Sequence, residues 1–481
     1  MKHFAKIFCF IVLLGLANNA SFAYDFKANE LCYKITSLSD RTCEVAQNTD
    51  GEYTGDIVIP STVVYEDITF SVTAIGPQAF ENCTSLNSLT IPPSVTYISS
   101  LVFTNCYGLN KVVLQDSNVP IHLTYNDATS NGYTEGKGTF VKSSLREIYI
   151  GRPIEYTEKK NCGYSPFYKL KSLKKVEFSS NVKNFGTRCF YECSNLEEVI
   201  FSESIESISD YSFSGCTSLT QLNFNEGLKS IGSYSFNGCT GLTTLSFPKS
   251  LETIKSSFRN CTGLVSVDIP DNVLNLGDYV FCGCTSLKNV KLPTNLTVLE
   301  QAVFQECSSL ETVELPSKLT VIKSSVFENC SSLKYITIPE GVTELGTSCF
   351  YYCTSLSEFT VPQNVTYLGW SIFDGCSNLK NLYVKPLTPP TCENSTFAEI
   401  LYISMTLNVA PEAVDLYKSQ KPWSNFLKIQ ASDFSGIDDI MCAPIECPNI
   451  YYDLQGNRVH NPINGIFIEK QANGKIRKIL K

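Results

Sequence analysis

Apolar and polar residues recur along most of the chain in a fixed order, with a period of 23 residues. In the unit that starts at Leu310, the apolar residues Leu310, Val313 and Leu315 are separated by polar residues. Such alternation over a few residues predicts a short, half-buried β-strand. Pro316 follows and has no N–H group to donate, so the strand ends there and apolar residues return at a looser spacing.

A Phe-x-x-Cys-x-x-Leu phrase marks most units, as in Phe304–Leu310 and again in Phe327–Leu333, and Leu170 holds the place of the cysteine one period before Cys193. Its cysteine recurs at Cys83, Cys106, Cys193, Cys216, Cys239, Cys261, Cys284, Cys307, Cys330, Cys353 and Cys376. From Cys193 onward every step is 23 residues, except one of 22. A fixed period of this size predicts a solenoid, because stacked coils can bury together an apolar side that one coil cannot bury alone.

The Leu-x-x-Val-x-Leu phrase resembles the strand segment of leucine-rich repeats. The fuller phrase, as in Leu-Thr-Ile-Pro-Pro-Ser-Val-Thr-Tyr-Ile at 89–98, is similar to the 23-residue bacterial class called BspA-like. This resemblance covers residues 71–400. It implies a right-handed curved solenoid with a parallel β-sheet on the concave face and loops or short helical turns on the other, with β-rich caps.

The expected domain order follows from where the repeat starts, breaks and stops. It is a signal peptide at 1–23, an N-terminal cap at 24–70, the repeat solenoid at 71–400, a C-terminal cap at 401–431, a linker at 432–448 and a small antiparallel β module at 449–481. The repeat breaks at 115–163, where a glycine-rich polar stretch predicts enlarged turns. Similar turns occur in BspA-like proteins, with a Gly-Arg pair that is Gly151–Arg152 here. The loops are either binding loops or spacers typical of the family.

The N-terminus is typical of a secretory signal peptide. Lys2 and Lys6 precede the apolar run Ile7–Leu16, and cleavage is expected after Ala23. The run is too short to span a membrane. The mature protein is therefore expected to be secreted or to reach the outer cell surface.

Short phrases near the C-terminus resemble sorting modules of the type IX secretion system. They are Asp-Leu-Gln-Gly-Asn-Arg-Val at 453–459, Gly-Ile-Phe-Ile at 465–468 and Asn-Gly-Lys at 473–475. The resemblance implies that the partner of this module is the outer-membrane export machinery. The alternative is an ordinary terminal β-hairpin domain.

Twenty of the 21 cysteines remain after removal of the signal peptide, which contains Cys9. Neighbouring strands lie about 4.8 Å apart, whereas a disulfide needs Cβ atoms about 3.8 Å apart. The cysteines of the repeat are therefore expected to form a column of buried free thiols. Cys32 with Cys43, and Cys442 with Cys447, are the disulfide candidates.

Composition excludes several classes of function. The net charge is −9 and the basic residues form no long run, which argues against nucleic-acid binding. No cluster of His or acidic residues accompanies the thiols, so no metal or other cofactor is expected. The motifs of common hydrolases and nucleotide-binding enzymes are absent from the sequence, and no enzymatic activity is predicted.

An exposed sheet face remains as the candidate binding surface. The residues on it that we expect to contact a partner are Tyr149, Glu177, Asp268, Lys291, Glu314, Tyr335 and Tyr383. By resemblance to BspA-like proteins, the expected function is adhesion to host extracellular proteins or to other cells. The alternatives are glycan binding for nutrient capture, or a passive structural surface layer.

Overall fold

The computed structural model describes residues 23–124, 138–140, 142–156, 165–393 and 395–434, together with the backbone of four strands between 450 and 480. The chain forms a parallel β-solenoid of about 15 turns with little helix, as the repeat predicts. Residues 1–22 of the expected signal peptide, the glycine-rich stretch at 126–137, and Cys442 and Cys447 lie outside the described residues.

The strands and helices have the following bounds. The N-terminal region holds β1 (Phe26–Ala28), β2 (Leu31–Ser37), β3 (Thr42–Val45), β4 (Gly55–Val58), β5 (Thr62–Tyr65) and β6 (Ile68–Ile75). The coils hold β7 (Leu86–Ile91), β8 (Tyr97–Ile98), β9 (Lys111–Leu114), β10 (Ile121–Leu123), β11 (Glu147–Ile150), β12 (Ile154–Glu155), β13 (Lys175–Phe178), β14 (Glu198–Ile200), β15 (Ser207–Ile208), β16 (Ser230–Ile231), β17 (Thr244–Ser246), β18 (Thr253–Ile254), β19 (Ser266–Asp268), β20 (Asn275–Leu276), β21 (Asn289–Lys291), β22 (Val298–Leu299), β23 (Val321–Ile322), β24 (Glu344–Leu345), β25 (Glu358–Val361), β26 (Tyr367–Leu368), β27 (Asn381–Val384) and β28 (Thr391–Cys392). The C-terminal region holds α1 (Glu399–Ser404), β29 (Thr406–Val409), α2 (Val414–Ser419), β30 (Lys428–Ala431), β31 (Ile450–Tyr452), β32 (Arg458–Val459), β33 (Ile466–Lys470) and β34 (Ile476–Leu480), with 3-10 turns at Pro411–Ala413 and Trp423–Asn425.

The coils contribute strands to two parallel sheets, except that the segments 310–315 and 333–338, where the repeat also predicts a strand, form no regular strand of the main sheet. The main sheet is built from the Leu-x-x-Val-x-Leu segments and has three stretches: β4, β7, β9, β11, β13 and β14; then β17, β19 and β21; then β25, β27, β29 and β30. Single bridges through Asn223 connect the first two stretches. Equivalent residues of successive coils lie side by side, as Ile148 does with Val112 and Val176.

The second sheet comes from the more loosely spaced apolar segment that follows the proline position. No strand was predicted there from the sequence. Its members are mostly two residues long, as in β15 and β16, where Ile208 pairs with Ile231. Two residues are too few to show an alternation, so only the stacking of coils reveals them as strands.

A column of stacked phenylalanine rings, the phenylalanine spine, fills the interior from one coil to the next. Its members are Phe80, Phe103, Phe140, Phe167, Phe190, Phe213, Phe236, Phe258, Phe281, Phe304, Phe327, Phe350, Phe373 and Phe397, with successive centroids 4.9–6.4 Å apart. Tyr53 lies 5.1 Å from Phe80 at one end. At the other end, Trp423 and Phe426 contact Phe397 edge-on at 5.3 and 5.1 Å. Aromatic rings therefore close both ends of the spine.

The cysteines of the repeat are buried free thiols, which confirms the expectation. All of them except Cys83 donate a hydrogen bond to the carbonyl of the spine phenylalanine one coil earlier. The ten Sγ–O distances are 2.9–3.3 Å, for Cys106, Cys193, Cys216, Cys239, Cys261, Cys284, Cys307, Cys330, Cys353 and Cys376. The same carbonyl also accepts an N–H from its own coil, as Phe213 does from Cys216 at 3.1 Å. Cysteine thus supplies a second hydrogen-bond donor to this buried carbonyl. Alanine or valine in its place would leave the carbonyl with only one donor.

The predicted disulfide between Cys32 and Cys43 is not formed in the structure. Cys43 lies opposite Ile35 across β2 and β3. Because Cys32 is an odd number of residues from Ile35, it points to the other face of β2, opposite Lys27 of β1. Both thiols are free and buried.

Two residues in most turns have left-handed backbone conformations. One directly precedes the cysteine of the repeat, such as Gly238 with φ 71° and Asn260 with φ 57°. The other lies two residues before the spine phenylalanine, such as Tyr211 and Tyr234, both with φ 56°. Glycine and asparagine adopt this conformation at low cost, which explains their frequency before the cysteine.

Arg152, in the region of the enlarged turns, is completely buried. Its guanidinium donates to the carbonyls of Pro92, Pro93 and Val95 at 3.0, 3.1 and 2.8 Å. Burial lowers the pKa of Arg152 to about 10. The side chain therefore connects two coils that are not sequence neighbours by satisfying three backbone acceptors.

The C-terminal strands form a separate antiparallel sheet in the order β32–β31–β33–β34. In it, Phe467 of β33 pairs with Ile479 of β34, and Tyr451 of β31 pairs with Glu469 of β33. This agrees with the small antiparallel unit expected from the sequence.

Replacing Arg152 with methionine should destabilise the chain by about 3 kcal/mol, because three buried carbonyls lose a charged donor. The midpoint of urea unfolding should fall, and amide hydrogen exchange should rise around residues 92–95. Replacing the exposed Arg146 with methionine is the matched control and should change neither quantity. Equal effects of the two changes would contradict this role for Arg152.

The buried thiols predict an unusually steep loss of stability in alkali. Burial raises the pKa of Cys193, Cys261 and Cys376 from 9.0 to about 12. A pKa raised in the folded state gives stability that is complete below pH 9 and is lost between pH 9 and about 12. Each such thiol should contribute a slope of about 1.4 kcal/mol per pH unit. Circular dichroism and thiolate absorbance, followed together against pH, should change in one step. Thiolate formation near pH 9 in a folded chain would contradict the prediction.

Candidate interaction surface

The outer face of the main sheet is the surface on which the sequence analysis placed its candidate residues. Along each strand, the residue between two buried positions points outward. Tyr149 and Glu177 lie side by side on β11 and β13, and Asp268 and Lys291 do so on β19 and β21. The structure therefore brings four of the seven residues together as two neighbouring pairs.

The other three residues lie on separate coils. Glu314 is exposed, and Tyr335 is half-buried. Tyr383 is half-buried on β27, between Thr360 and Asn408. The coil that contains β25 comes between Tyr335 and Tyr383, so they do not form an adjacent aromatic pair.

Many lysines on the solenoid surface pair with carboxylates of neighbouring coils, mostly with partners 23 residues apart. Lys291 Nζ lies 3.1 Å from Asp268 Oδ1, and both side chains are more than half exposed. The same arrangement occurs in Lys169–Glu192, Lys174–Glu197, Lys175–Glu198, Lys183–Glu206, Lys323–Glu300 and Lys334–Glu311. Such exposed pairs add little stability, but they neutralise the charges that a partner would otherwise contact.

Tyr149 is held by neighbouring coils. Its hydroxyl donates to Asp116 Oδ1 at 2.9 Å, and Asn181 Nδ2 lies 3.5 Å from the same oxygen. Burial, followed by the hydrogen bond to Asp116, raises the pKa of Tyr149. The pKa of Tyr383 is raised by burial and by the nearby charge of Glu358. Both tyrosines therefore remain neutral hydrogen-bonding groups at physiological pH.

Two clefts lie along the main-sheet strands, and the sequence analysis missed both. The first has a volume of about 130 Å³ and is lined by Glu197, Glu198, Val199, Ile200, Phe201, Gln221 and Asn223. The second has a volume of about 350 Å³ and is lined by Ser246, Phe247, Lys249, Asp268, Pro270, Asp271, Asn272 and Lys291.

The clefts coincide with a change at the third apolar strand position. Phenylalanine replaces isoleucine or leucine there at Phe178, Phe201, Phe224 and Phe247, whose rings stack between coils at 5.8–6.1 Å. Phe224 and Phe247 are only half-buried. The run of phenylalanines was the signal in the sequence that could have located these clefts.

The described residues contain no group of three or more His, Cys, Asp and Glu side chains placed to hold a metal ion. Burial raises the pKa of the thiols of the repeat cysteines, as at Cys216 and Cys307, so few of them are thiolates at neutral pH. No helix in the described part is long and apolar enough to cross a membrane.

Comparison with known families decides the class of protein. The family model of the BspA type leucine rich repeat region matches in six copies, over residues 61–160, 134–265 and 255–380. The chain belongs to the BspA-type leucine-rich repeat family. This is a repeat scaffold of bacterial surface proteins whose members are typically not enzymes.

Solved structures of similar proteins include the following three. A leucine-rich repeat protein from Bacteroides ovatus is 26% identical with a TM-score of 0.57, covering 85% of this chain and 100% of its own. A leucine rich cell surface protein from Faecalibacterium prausnitzii is 22% identical with a TM-score of 0.35, covering 75% and 94%. The pneumococcal vaccine antigen PcpA is 17% identical with a TM-score of 0.40, covering 86% and 100%. No match is found among curated proteins.

Proposed function

We propose that this BspA-type protein is exported and mediates adhesion by binding an extracellular protein, of the host or of another cell, through the outer face of its main sheet. The observation that carries the proposal is the form of this face. It continues over many coils, presents residues of mixed polarity, and includes the two shallow clefts of about 130 and 350 Å³ described above. Small-molecule sites are typically cavities of about 300–1,000 Å³ that enclose most of their ligand. The first cleft is smaller than this, and the second is at the lower end of the range and open to solvent. A long, shallow surface suits a macromolecule better.

Protein is favoured over glycan as the partner because of where the aromatic residues lie. Glycan platforms need aromatic rings spaced across one face, and the coil of β25 separates Tyr335 from Tyr383. Tyr149 and Glu177, adjacent in register, offer a hydrogen-bonding contact of the kind found in protein interfaces. A passive surface layer with no specific contact is the remaining alternative.

The C-terminal antiparallel sheet supports a proposal about how the protein reaches the surface. β32 falls within one of the phrases that resemble type IX sorting modules, and β33 overlaps another. In this proposal the signal peptide directs passage across the inner membrane, and the export machinery of the outer membrane binds the module at 449–481.

Binding of the purified mature chain to extracellular-matrix proteins and to polysaccharides tests the adhesion proposal. We expect saturable binding to a protein, weakened by about tenfold or more when Tyr383 is replaced with alanine or Glu177 with glutamine. Replacing Lys318, an exposed residue outside the main-sheet strands, with glutamine should leave affinity unchanged. Saturable binding to polysaccharides alone would favour nutrient capture, and no binding to either panel would contradict the proposal.

Removing residues 449–481 tests the sorting proposal. We expect the truncated protein to accumulate inside the cell envelope while the full chain reaches the surface or the medium, as measured by fractionation and surface labelling. Unchanged thermal unfolding of the solenoid would show that the missing segment acts in export. Normal surface display of the truncated protein would contradict the proposal.

A further inference from the structure

A column of tyrosines and arginines lies on the turns between the second sheet and the phenylalanine spine, away from the main-sheet strands. Its positions come two residues before the spine phenylalanine and include Arg188, Tyr211, Tyr234 and Tyr279, all of them half-buried. Tyr211 and Tyr234 stack with centroids 5.0 Å apart. The guanidinium of Arg188 lies over the Tyr211 ring at 4.6 Å.

The one 22-residue step of the repeat, from Cys239 to Cys261, interrupts this column. The turn between Ile254 and Phe258 is one residue shorter than its neighbours, and no residue in it has a left-handed backbone. Ser256 accepts the N–H of Tyr234 as Ser233 accepts that of Tyr211, so this turn has no residue equivalent to Tyr234.

Arg259, from the same short coil, lies over the Tyr279 ring at 5.4 Å. The result is a surface of five residues, Arg188, Tyr211, Tyr234, Arg259 and Tyr279, which we call the arginine–tyrosine ridge.

Neither arginine of the ridge is neutralised. In the part of the chain that the structure describes, no carboxylate lies within ion-pair distance of Arg188 or Arg259, and the Nε atom of each is buried without a partner. Cys282 offers Arg259 only a thiol. Asp210 and Asp278 each accept a backbone N–H from the next coil, from Ser233 at 2.7 Å and from Gln301 at 3.2 Å, and neither forms an ion pair with Arg188 or Arg259.

A guanidinium lying flat on an aromatic ring is held in place, with its remaining N–H groups directed along its edges. Such an edge matches a carboxylate in a two-pronged hydrogen bond. Arginine and tyrosine are also the residue types that most often dominate the energy of protein interfaces. The ridge thus combines fixed cations with exposed tyrosine edges.

Arg188 and Arg259 lie three coils apart, which is about 14 Å at roughly 4.8 Å per coil. In an extended peptide, side chains four residues apart are separated by about 13 Å. We infer that the arginine–tyrosine ridge binds an extended acidic segment of a protein partner, running along the solenoid axis with carboxylates at every fourth residue. This site is separate from the main-sheet surface and does not depend on it.

The test uses the mature full chain and an extended peptide with glutamate at every fourth position and threonine or serine between. Fluorescence anisotropy near physiological ionic strength should show saturable binding, and the same peptide with glutamine in place of glutamate should not bind. Replacing Arg188 or Arg259 with glutamine should weaken binding about tenfold each. Replacing Arg188 with lysine should weaken it less than replacing it with glutamine.

Replacing Lys183 with glutamine is the matched control, since Lys183 is exposed and paired with Glu206. It changes the net charge equally and should leave affinity unchanged. Thermal unfolding of each variant verifies that it is folded. Equal weakening by the control, or binding of the glutamine peptide, would overturn the inference.

Polygalacturonate provides the same carboxylates on a polysaccharide. Binding to it in the absence of peptide binding would also overturn the inference. Replacing Tyr383 with alanine should leave the affinity for the peptide unchanged. The ridge proposal and the main-sheet proposal are therefore tested by different variants, and one can fail without the other.

Discussion

Stacking of each coil on its neighbours is the interaction on which the whole structure depends. A phenylalanine of the spine, such as Phe236, has its two faces covered by Phe213 and Phe258, which belong to the coils before and after. No coil can bury this ring alone, so stability is shared between neighbours along one dimension. The ends need separate closure for the same reason, and Tyr53 and Trp423 supply it.

The period of the sequence is a direct consequence of contacts between equivalent residues. A thiol donates to the carbonyl one coil earlier, a lysine pairs with an acid one coil away, and strand residues pair with their counterparts. A change of register would break all of these contacts together. The repeat is therefore conspicuous in the sequence because each position has the same physical task in every coil.

The same reasoning explains which features the sequence could predict. Solenoid class, most strand positions and buried cysteines follow from columns repeated many times, although the segment Leu310–Leu315 forms no regular strand. The second sheet was not predicted because two-residue strands such as β23 are too short to show an alternation of apolar and polar residues. The disulfide between Cys32 and Cys43 was a wrong prediction because the register of β2 and β3 places the thiols on opposite faces. The contacts of Arg152 could not be predicted, because they join coils through a break in the repeat.

Binding sites are harder to predict from the sequence than the fold, because the charged and polar side chains of a regular column pair with one another. Asp268 and Lys291 stood out in the sequence as charges on an exposed face, yet each is the partner of the other. Arg188 and Arg259 stand where the columns are irregular, one at the start of a run of tyrosines and one in the coil that lacks a residue. Where neighbouring coils neutralise each other's charges, the charged side chains that remain available to a partner are those with no oppositely charged side chain on the next coil. Departures from the repeat are therefore better guides to function than its most exposed regular positions.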